Sequence, residues 1–424
     1  MDHNVDFLWA VGIENTFIPQ EKAGLRALEE YELTQHYQFW REDIDRAASL
    51  GVAAIRWGIP WYRVNPRPGV YDWAWVDEVL DYLVVQKGIQ PIVDLMHYGT
   101  PLWLENSFLN ADYPRLVADY AYEVARRYGD LVRYYTPLNE PGVNAEYAGR
   151  RGEWPPYLQG DRGYVATLMP IVHGMALTAE AIRAADPDAV LVQVEAFGWH
   201  WTKDPTVQPV VARLMAHTLL PFDLFTGRVD ENHLLWPALL ENGATETELA
   251  WLREHPSQVD VLGVNLYPWS GGRSVSGTSR RFGELNGYHL ADVLRFVWNR
   301  YQLPLMVTET SARRRVPGRA QWMDETITAV ATVRAEGIPV VGYAWFPMMT
   351  MIDWAYRLTN RPLSRYLLHL GLWDSRFDKD GILQRHETPL VAQYRRYVAQ
   401  GVPTLPGTET TATSAPSASG LAMP

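Results

Sequence analysis

Eight short apolar runs, alternating with segments of helical period, constrain the fold of this 424-residue chain more than any other feature. Each run has six to nine residues, many of them β-branched, and is almost continuously apolar. This pattern is typical of strands that are buried on both faces of a parallel sheet. The runs begin at Phe7, Val52, Gln90, Val132, Ala189, Val259, Leu303 and Pro339.

The segments between these runs have the period and the end signals of helices. In segment 40–51, Ile44, Ala47 and Leu50 share one side, and Gly51 is a C-terminal stop signal. Comparable segments end at Gly88, Gly129, Ala185 and Gly337. Eight strands that alternate with helices predict an α/β fold, a single (β/α)8 TIM barrel over residues 1–402. An open doubly wound sheet is the rival, but the count of eight and the lack of a glycine-rich first turn argue against it.

Two predicted β-to-α connections are long, at 149–163 and 270–287. Such loops cover the carboxyl end of a barrel, where functional sites are built. Residues 403–424 are rich in Thr, Ser, Ala and Pro without an apolar period, which predicts a disordered tail.

Charge and composition exclude several functional classes. The net charge of -11 gives no electrostatic reason to bind nucleic acid or an anionic membrane. The chain has no cysteine, which excludes disulfides, thiolate nucleophiles and Cys-ligated zinc. No metal-binding His spacing, phosphate loop or dinucleotide fingerprint is present, so we expect no metal and no cofactor. Neither a signal peptide nor a run of 18 apolar residues is visible, and we therefore expect a cytoplasmic protein.

Aromatic residues are unusually frequent, with 18 Trp and 23 Tyr. Many tryptophans stand beside polar residues or prolines, as in Trp154-Pro155 and Tyr267-Pro268-Trp269. Core packing accounts for some of them. The others suit the apolar faces of sugar rings, which need flat surfaces beside fixed hydrogen-bonding groups.

Two glutamates stand where predicted strands end. Glu140 follows the fourth run and Glu309 ends the seventh, so both would lie at the catalytic rim of a barrel. A carboxyl pair at that rim suits glycoside hydrolysis, in which one group protonates the leaving oxygen and the other attacks the anomeric carbon or activates water. A lone glutamate there could form a structural salt bridge, but a pair on strands four and seven favours catalysis.

The motifs resemble those of family 1 glycoside hydrolases, of the β-glucosidase and β-galactosidase type. The resemblance runs from Phe7 to about Val398. Its elements are FLW, EDIDRAASLGVAAIRWGIPWYRVNP, GIQPIVDLMHYGTPLWL, TPLNEP, GVNLYP, LMVTET, GLW and RHETPLVAQYRRYV.

The resemblance implies a retaining β-glycosidase with Glu140 as acid/base and Glu309 as nucleophile. Arg56 would be the cation that keeps Glu309 ionised, and Tyr267 would donate to the same carboxylate. Asn139 would bind the 2-hydroxyl, His97 would bind a ring hydroxyl, and Trp345 would be the platform under the sugar. The alternatives are core packing for His97, Tyr267 and Trp345, and a purely structural ion pair for Arg56.

The chain departs from the family at two places where sugar hydroxyls are usually bound. Family members carry a Gln shortly after FLW, and here Glu14 or Asn15 would have to replace it. They also carry a Glu before a Trp after strand eight, whereas here Asp353 precedes Trp354, with one extra residue. These departures predict that plain glucosides are poor substrates, and that a deoxy sugar, an uncommon hexose or an oligosaccharide end is preferred.

Two other functions remain open for the same fold. A transglycosidase would use the same residues and pass the glycosyl group to an acceptor other than water. A carbohydrate-binding barrel without turnover would not need both glutamates. In each case the partner is a small glycoside or an oligosaccharide, and the sequence leaves the oligomeric state open.

Overall fold

The eight apolar runs all form strands, which join in one closed parallel barrel. This computed structural model describes residues 7–274, 280–281 and 284–405. The strands are β1 Leu8–Gly12, β2 Ala54–Gly58, β3 Gln90–Asp94, β4 Tyr134–Thr136, β5 Val190–Ala196, β6 Val261–Asn265, β7 Leu305–Glu309 and β8 Val340–Trp345. Each strand pairs with its neighbour in the chain, and β1 pairs with both β2 and β8. The predicted (β/α)8 barrel is confirmed.

A long helix follows each strand and packs outside the barrel. These helices are α1 His36–Ser49, α2 Ala74–Leu80, α3 Tyr113–Tyr128, α4 Gly160–Ala185, α5 Gln208–Phe225, α6 His289–Tyr301, α7 Val316–Ala335 and α8 Pro389–Gln400. Helix α2 continues as the π-helix Asp81–Gln86.

Shorter elements decorate the barrel, mostly within the β-to-α connections. The short α-helices are Glu30–Leu33, Trp61–Val64, Pro141–Ala145, Trp236–Glu241 and Glu246–Glu254, and a second π-helix spans Glu146–Arg150. The 3-10 helices are Ser107–Leu109, Pro205–Val207, Pro268–Ser270, Trp354–Leu358 and Leu363–Arg365. The short strands are Phe17–Ile18, Leu28–Glu29, Trp199–Trp201, Gly271–Ser274, Arg280–Arg281, Met351–Ile352, Leu367–Leu368, Trp373–Phe377 and Leu383–Glu387.

Two apolar cores hold these layers together. A small cluster that includes Ala10, Ala54, Ile92, Val194 and Met306 comes from the barrel strands and is fully buried. A much larger cluster packs the outer faces of the strands against the helices. The barrel is therefore filled rather than hollow, and its functional surface lies at the carboxyl ends of the strands.

Helix α4 is long and apolar enough, by length and composition, to cross a membrane. The expectation that the chain holds no such stretch therefore needs correction. However, 67% of its most apolar window is buried inside the fold, as in the core helix of a globular barrel.

The 149–163 connection holds the end of the second π-helix and leads into α4. The 270–287 connection and the predicted tail from residue 403 fall only partly within the described residues.

Candidate active site

A cavity of about 630 Å³ opens at the carboxyl end of the barrel, and both Glu140 and Glu309 line it. Glu309 is the last residue of β7, and Glu140 lies just beyond β4. Both are nearly inaccessible to solvent, with 4% and 6% exposure. The barrel thus brings together two carboxyl groups that are far apart in the sequence.

Two donors hold the carboxylate of Glu309. Arg56 Nη1 donates to Oε1 at 2.5 Å, and the Tyr267 hydroxyl donates to Oε2 at 2.6 Å. Arg56 comes from β2, and Tyr267 lies two residues beyond the end of β6. Each oxygen therefore has one fixed donor, which orients the carboxylate relative to the cavity.

Glu140 is held by neutral donors. Asn265 Nδ2 donates to its Oε1 at 2.8 Å, and the hydroxyl of Tyr98 donates to its Oε2. Thr308 fixes the Asn265 amide by donating to its oxygen at 2.7 Å. Glu140 also has a left-handed backbone conformation, with φ of 46°. Non-glycine residues in this region carry strain and concentrate at functional sites.

A fully buried polar layer lies beneath the two glutamates. Arg56 Nη2 donates to both Asp94 oxygens at 2.8 Å and to the Asn139 oxygen at 3.1 Å. The Asn139 amide nitrogen donates to the Tyr98 hydroxyl at 3.0 Å and lies 2.9 Å from His97 Nε2. These contacts use the hydrogen-bonding capacity of Asn139, so the layer positions the groups above it.

The charges around Glu309 compete. Burial raises the pKa of Glu309 to about 7; Arg56 lowers it, and the negative charge of Glu140 raises it. Arg56 was expected to keep Glu309 ionised, and it does contact it. Burial of the carboxyl and the negative charges of Glu140 and Glu14 outweigh the effect of Arg56 on the pKa of Glu309.

His97 is also shifted. Burial alone would lower its pKa, but Asp94, Glu14 and Glu309 raise it above its ordinary value. His97 lines the cavity, with Nε2 at 3.6 Å from Glu14 Oε1.

The family model described as "Glycosyl hydrolase family 1" matches residues 18–217, just under half of the chain. This segment includes His97 and Glu140, which line the cavity, and the buried Arg56, Asp94 and Asn139 beneath it. Over these residues the chain is similar to glycosyl hydrolase family 1.

Curated relatives are similar over parts of their length. Beta-glucosidase 44 of Arabidopsis thaliana is 35% identical over 127 residues, which are 28% of this chain and 25% of that protein. A protein of Oryza sativa subsp. japonica named "Probable inactive beta-glucosidase 14" is 33% identical over 129 residues, again 28% and 25% of the two lengths. These matches span about a quarter of each relative.

The fold similarity is much more extensive. The structure titled "Beta-glucosidase from Thermotoga maritima in complex with deoxynojirimycin" superposes with a TM-score of 0.81. The match covers 94% of this chain and 98% of that one, at 19% identity. At this identity the likeness shows the shared barrel and nothing finer.

The first predicted departure from the family 1 pattern lies in the turn after β1. Glu14 lines the cavity and accepts from the Thr16 amide and hydroxyl at 3.0 and 2.7 Å. Asn15 does not line it; its side chain packs against Gly58. Of the two residues proposed to replace the missing Gln, the structure brings only Glu14 to the site.

The second departure lies after β8. Asp353 and Trp354 line the cavity as predicted. However, Asp353 Oδ1 accepts from the Ala355 amide at 3.0 Å, and Oδ2 accepts from Arg313 Nη2 at 2.7 Å. Both oxygens are thus engaged by the protein, whereas Arg313, which also lines the cavity, keeps 64% of its side chain exposed.

Trp345 does not lie in the cavity wall, so the structure does not support its predicted role as a platform. Its ring is fully buried, and Nε1 donates to the Leu370 carbonyl at 3.1 Å. Neighbouring residues of a strand point to opposite sides. The ring of Phe346, the next residue, stacks on His97 with centroids 6.3 Å apart, but Phe346 is itself buried and does not line the cavity.

Three contributors to the site were missed by sequence reasoning, namely Tyr98, Asn265 and Asp94. They stand within the motifs MHYGTP, VNLYP and IVDLM, next to residues that were selected. The sequence feature that could have identified them is a polar side chain at or near the end of a predicted strand. Arg56, Asn139, Asn15 and Trp345 are not among the described residues that line the cavity.

Within the described part of the chain, no group of three or more His, Asp or Glu side chains is arranged to hold a metal ion.

Proposed function

We propose that this protein is a retaining β-glycosidase that cleaves an O-glycosidic bond through a glycosyl-enzyme intermediate. One observation carries the proposal: two buried carboxyl groups line one cavity, each held by a different set of donors. Glu309 contacts a guanidinium and a phenol, a setting for an anion. Glu140 contacts an amide and a phenol, a setting that a neutral or a charged carboxyl can occupy.

In the first step, Glu309 attacks the anomeric carbon while Glu140 donates its proton to the departing oxygen. The hydrogen bonds from Arg56 and Tyr267 hold the attacking carboxylate. The reactive state has its proton on Glu140 rather than on Glu309, because Glu309 must keep a free electron pair to attack.

In the second step, Glu140 removes a proton from water as the water attacks the same carbon from the opposite side. The bond to Glu309 breaks, and the carboxylate returns to its contacts with Arg56 and Tyr267. The two inversions restore the original anomeric configuration, and the proton returned to Glu140 completes the cycle.

We further propose that plain glucosides are poor substrates. An acidic side chain, Glu14, replaces an amide at one hydroxyl-binding position. At the other, Asp353 is held by Arg313 and the Ala355 amide. A panel of aryl β-glycosides tests this proposal, and a clear preference for the glucoside would contradict it.

The nucleophile is tested by Glu309→Gln, which should lower kcat/KM by about a thousandfold or more because the amide cannot form the intermediate. Glu254→Gln, at an exposed glutamate of the outer surface, is the matched control. Equal activity of the two variants would overturn the assignment of Glu309.

The acid/base and the stereochemistry need separate experiments. Glu140→Gln should impair glycosides with poor leaving groups far more than dinitrophenyl glycosides, whose departure needs no proton. NMR of the first-formed product should show retention of the anomeric configuration; inversion would contradict a covalent intermediate.

A further inference from the structure

One carboxylate of the catalytic cavity, that of Glu14, takes no part in the two chemical steps proposed above. Glu14 lies two residues beyond the end of β1, in a turn that two backbone hydrogen bonds hold in place. The Ile13 amide donates to the Arg56 carbonyl at 3.0 Å, and the Phe17 amide donates to the His97 carbonyl at 2.8 Å. The Glu14 side chain is only 7% exposed, and it lines the cavity.

The two carboxylate oxygens of Glu14 differ in their contacts. Oε1 accepts from the amide and the hydroxyl of Thr16, at 3.0 and 2.7 Å. Oε2 accepts no hydrogen bond from the described residues, and it is not fully enclosed by the protein. One oxygen therefore anchors the side chain, while the other is available to a ligand in the cavity.

Among the described residues, no lysine or arginine neutralises this carboxylate. Its one ion-pair contact is with His97, whose Nε2 lies 3.6 Å from Oε1, too far for a hydrogen bond. That ring nitrogen is engaged with the Asn139 amide, at 2.9 Å. A buried carboxylate without a cationic partner is costly, and a ligand that brings a positive charge would remove this cost.

The acidic residue at the other hydroxyl-binding position is in the opposite state. Both oxygens of Asp353 are engaged, one by Arg313 at 2.7 Å and the other by the Ala355 amide at 3.0 Å. The protein therefore compensates the charge of Asp353. The charge of Glu14 instead adds to that of Glu309, whose pKa it raises, so this side of the cavity favours a cation.

A carboxylate also differs from an amide in the hydrogen bonds that it can form. The amide of a Gln, which the family resemblance predicts near this position, both donates and accepts, and so suits a hydroxyl group. An ionised carboxylate only accepts. Its best partner is a positively charged donor, because charge-assisted hydrogen bonds are about twice as strong as neutral ones. An ammonium group meets this need, since it has three donors and no acceptor.

We propose that the sugar held between Glu140 and Glu309 carries an amino group, which binds as an ammonium ion to Oε2 of Glu14. The inference rests on the proposed glycosidase function and gives it a substrate class, the β-glycosides of amino sugars. The ammonium ion compensates the charge of Glu14. It thereby removes one of the charges that raise the pKa of Glu309, which favours the ionised nucleophile in the complex with substrate.

Selectivity is measured with 4-nitrophenyl β-glycosides of gluco and galacto configuration, at about pH 6.5, where an amine is charged. In each series, the hydroxyl group at C2, C3, C4 or C6 is replaced by an amino group or, as a neutral control, by hydrogen. We expect kcat/KM for at least one amino glycoside to exceed that of its hydroxyl parent and of its deoxy counterpart by about tenfold or more.

Glu14→Gln isolates the charge, because it keeps the shape of the side chain and an oxygen for the contacts with Thr16. This variant should lower the preference for the amino glycoside about tenfold. Glu153→Gln is the matched control: it removes the same charge from a half-buried carboxylate elsewhere in the cavity lining, and the preference should persist. Calorimetric titration of the unmodified chain with the matching methyl 1-thio-β-glycosides, which resist hydrolysis, measures binding without any variant.

The assignment of Glu14 would be overturned if no amino glycoside were better than its parent and its deoxy counterpart, or if Glu14→Gln and Glu153→Gln showed equal preferences. Turnover and binding are scored separately. Hydrolysis of neutral glycosides without an amino preference would contradict the amino-sugar inference alone. Preferential binding of amino thioglycosides without hydrolysis of any glycoside would contradict the glycosidase proposal alone.

Discussion

The hydroxyl of Tyr267 controls the state of the nucleophile, since it is one of only two donors found on the Glu309 carboxylate among the described residues. Hydrogen bonds to an ionised carboxylate lower its pKa. Tyr267→Phe should therefore raise the pKa of Glu309, which burial already raises to about 7. Because the protonated nucleophile cannot attack, the acid limb of the pH profile of kcat/KM should move to higher pH.

The measurement is kcat/KM against pH between 5 and 9 for the unmodified chain and the variant. Tyr288→Phe, at a tyrosine that is 55% exposed and outside the cavity, is the control. A Tyr267→Phe profile that is lower at all pH values but unshifted would mean that the hydroxyl acts on substrate binding instead.

Arg313 decides which hydrogen-bonding groups the cavity offers after β8. Its guanidinium occupies one oxygen of Asp353, so Arg313→Gln should free that oxygen to accept from a sugar hydroxyl. One added hydrogen bond corresponds to about a two- to tenfold gain. The KM for an aryl β-glucoside should fall by that factor.

Arg315→Gln is the matched control, because Arg315 is exposed on the same loop and does not line the cavity. The idea fails if both variants give the same KM, or if Arg313→Gln raises it.

Residue-level prediction succeeded where position on a strand and chemical type coincide. Strand ends in the sequence selected Glu140 and Glu309, the family resemblance added Arg56 and Tyr267, and the structure brings all four together. It failed where a single step along the chain changes the direction of a side chain. Trp345 ends β8 at the carboxyl end of the barrel, but its ring is fully buried and does not line the cavity, because successive side chains of a strand point to opposite sides.

At the scale of elements, periodicity located all eight strands and the five helices whose ends were predicted. The shorter elements were not predicted, and most of them have two to five residues, too few for a period to be detected in the sequence. The strand Trp199–Trp201 is one of these. This strand belongs to the connection that follows β5 and is not part of the barrel. Its partner strand lies far along the chain, with Gly271 opposite Trp199.

The element that carries Glu140 depends on a close contact between two glycines. Gly149 ends the turn that follows the short helix Pro141–Ala145, and Gly163 lies in the first turn of α4. A Cβ on either glycine would collide with the backbone carbonyl of the other. Backbone cannot move aside as a flexible side chain can, and overpacking typically costs about 1–3 kcal/mol.

Gly163→Ala should therefore lower the unfolding temperature and displace the segment after Glu140, which would reduce kcat. Calorimetry and steady-state kinetics on one preparation measure both effects. Ala166→Ser adds one atom at an exposed position of the same helix and should change neither by much. A Gly163→Ala protein as stable as the control would mean that α4 can shift freely.

The protein contains two kinds of buried carboxyl group, one with a raised pKa and one with a lowered pKa. Burial raises the pKa of Glu30 and Glu195 well above the ordinary value of 4.5, and it raises that of Glu309 to about 7. Burial would also raise the pKa values of Asp94 and Asp223, but their partners lower both values below 3.8. The partners of Asp94 are Arg56 and His97. Those of Asp223 are His233 and Arg300.

The pH dependence of stability follows from these directions. A raised carboxyl pKa means that the folded state binds more protons than the unfolded state above pH 4.5, so stability falls as the pH rises through that window. A lowered pKa gives stability that is lost as the pH falls below 3.8. The unfolding temperature should therefore be highest near pH 5 and decline towards pH 8.

Activity needs the opposite condition, because Glu309 must be ionised and its pKa is about 7. The best pH for catalysis should thus lie above the best pH for stability, a separation expected when a site is built from desolvated charges. Glu195→Gln removes one such carboxyl group, whose oxygens accept from the Ala196 and Gly142 amides. It should raise the unfolding temperature by about 1–3 °C at pH 8 and leave it unchanged at pH 5. A uniform shift at both pH values would mean that Glu195 acts through packing rather than through its proton.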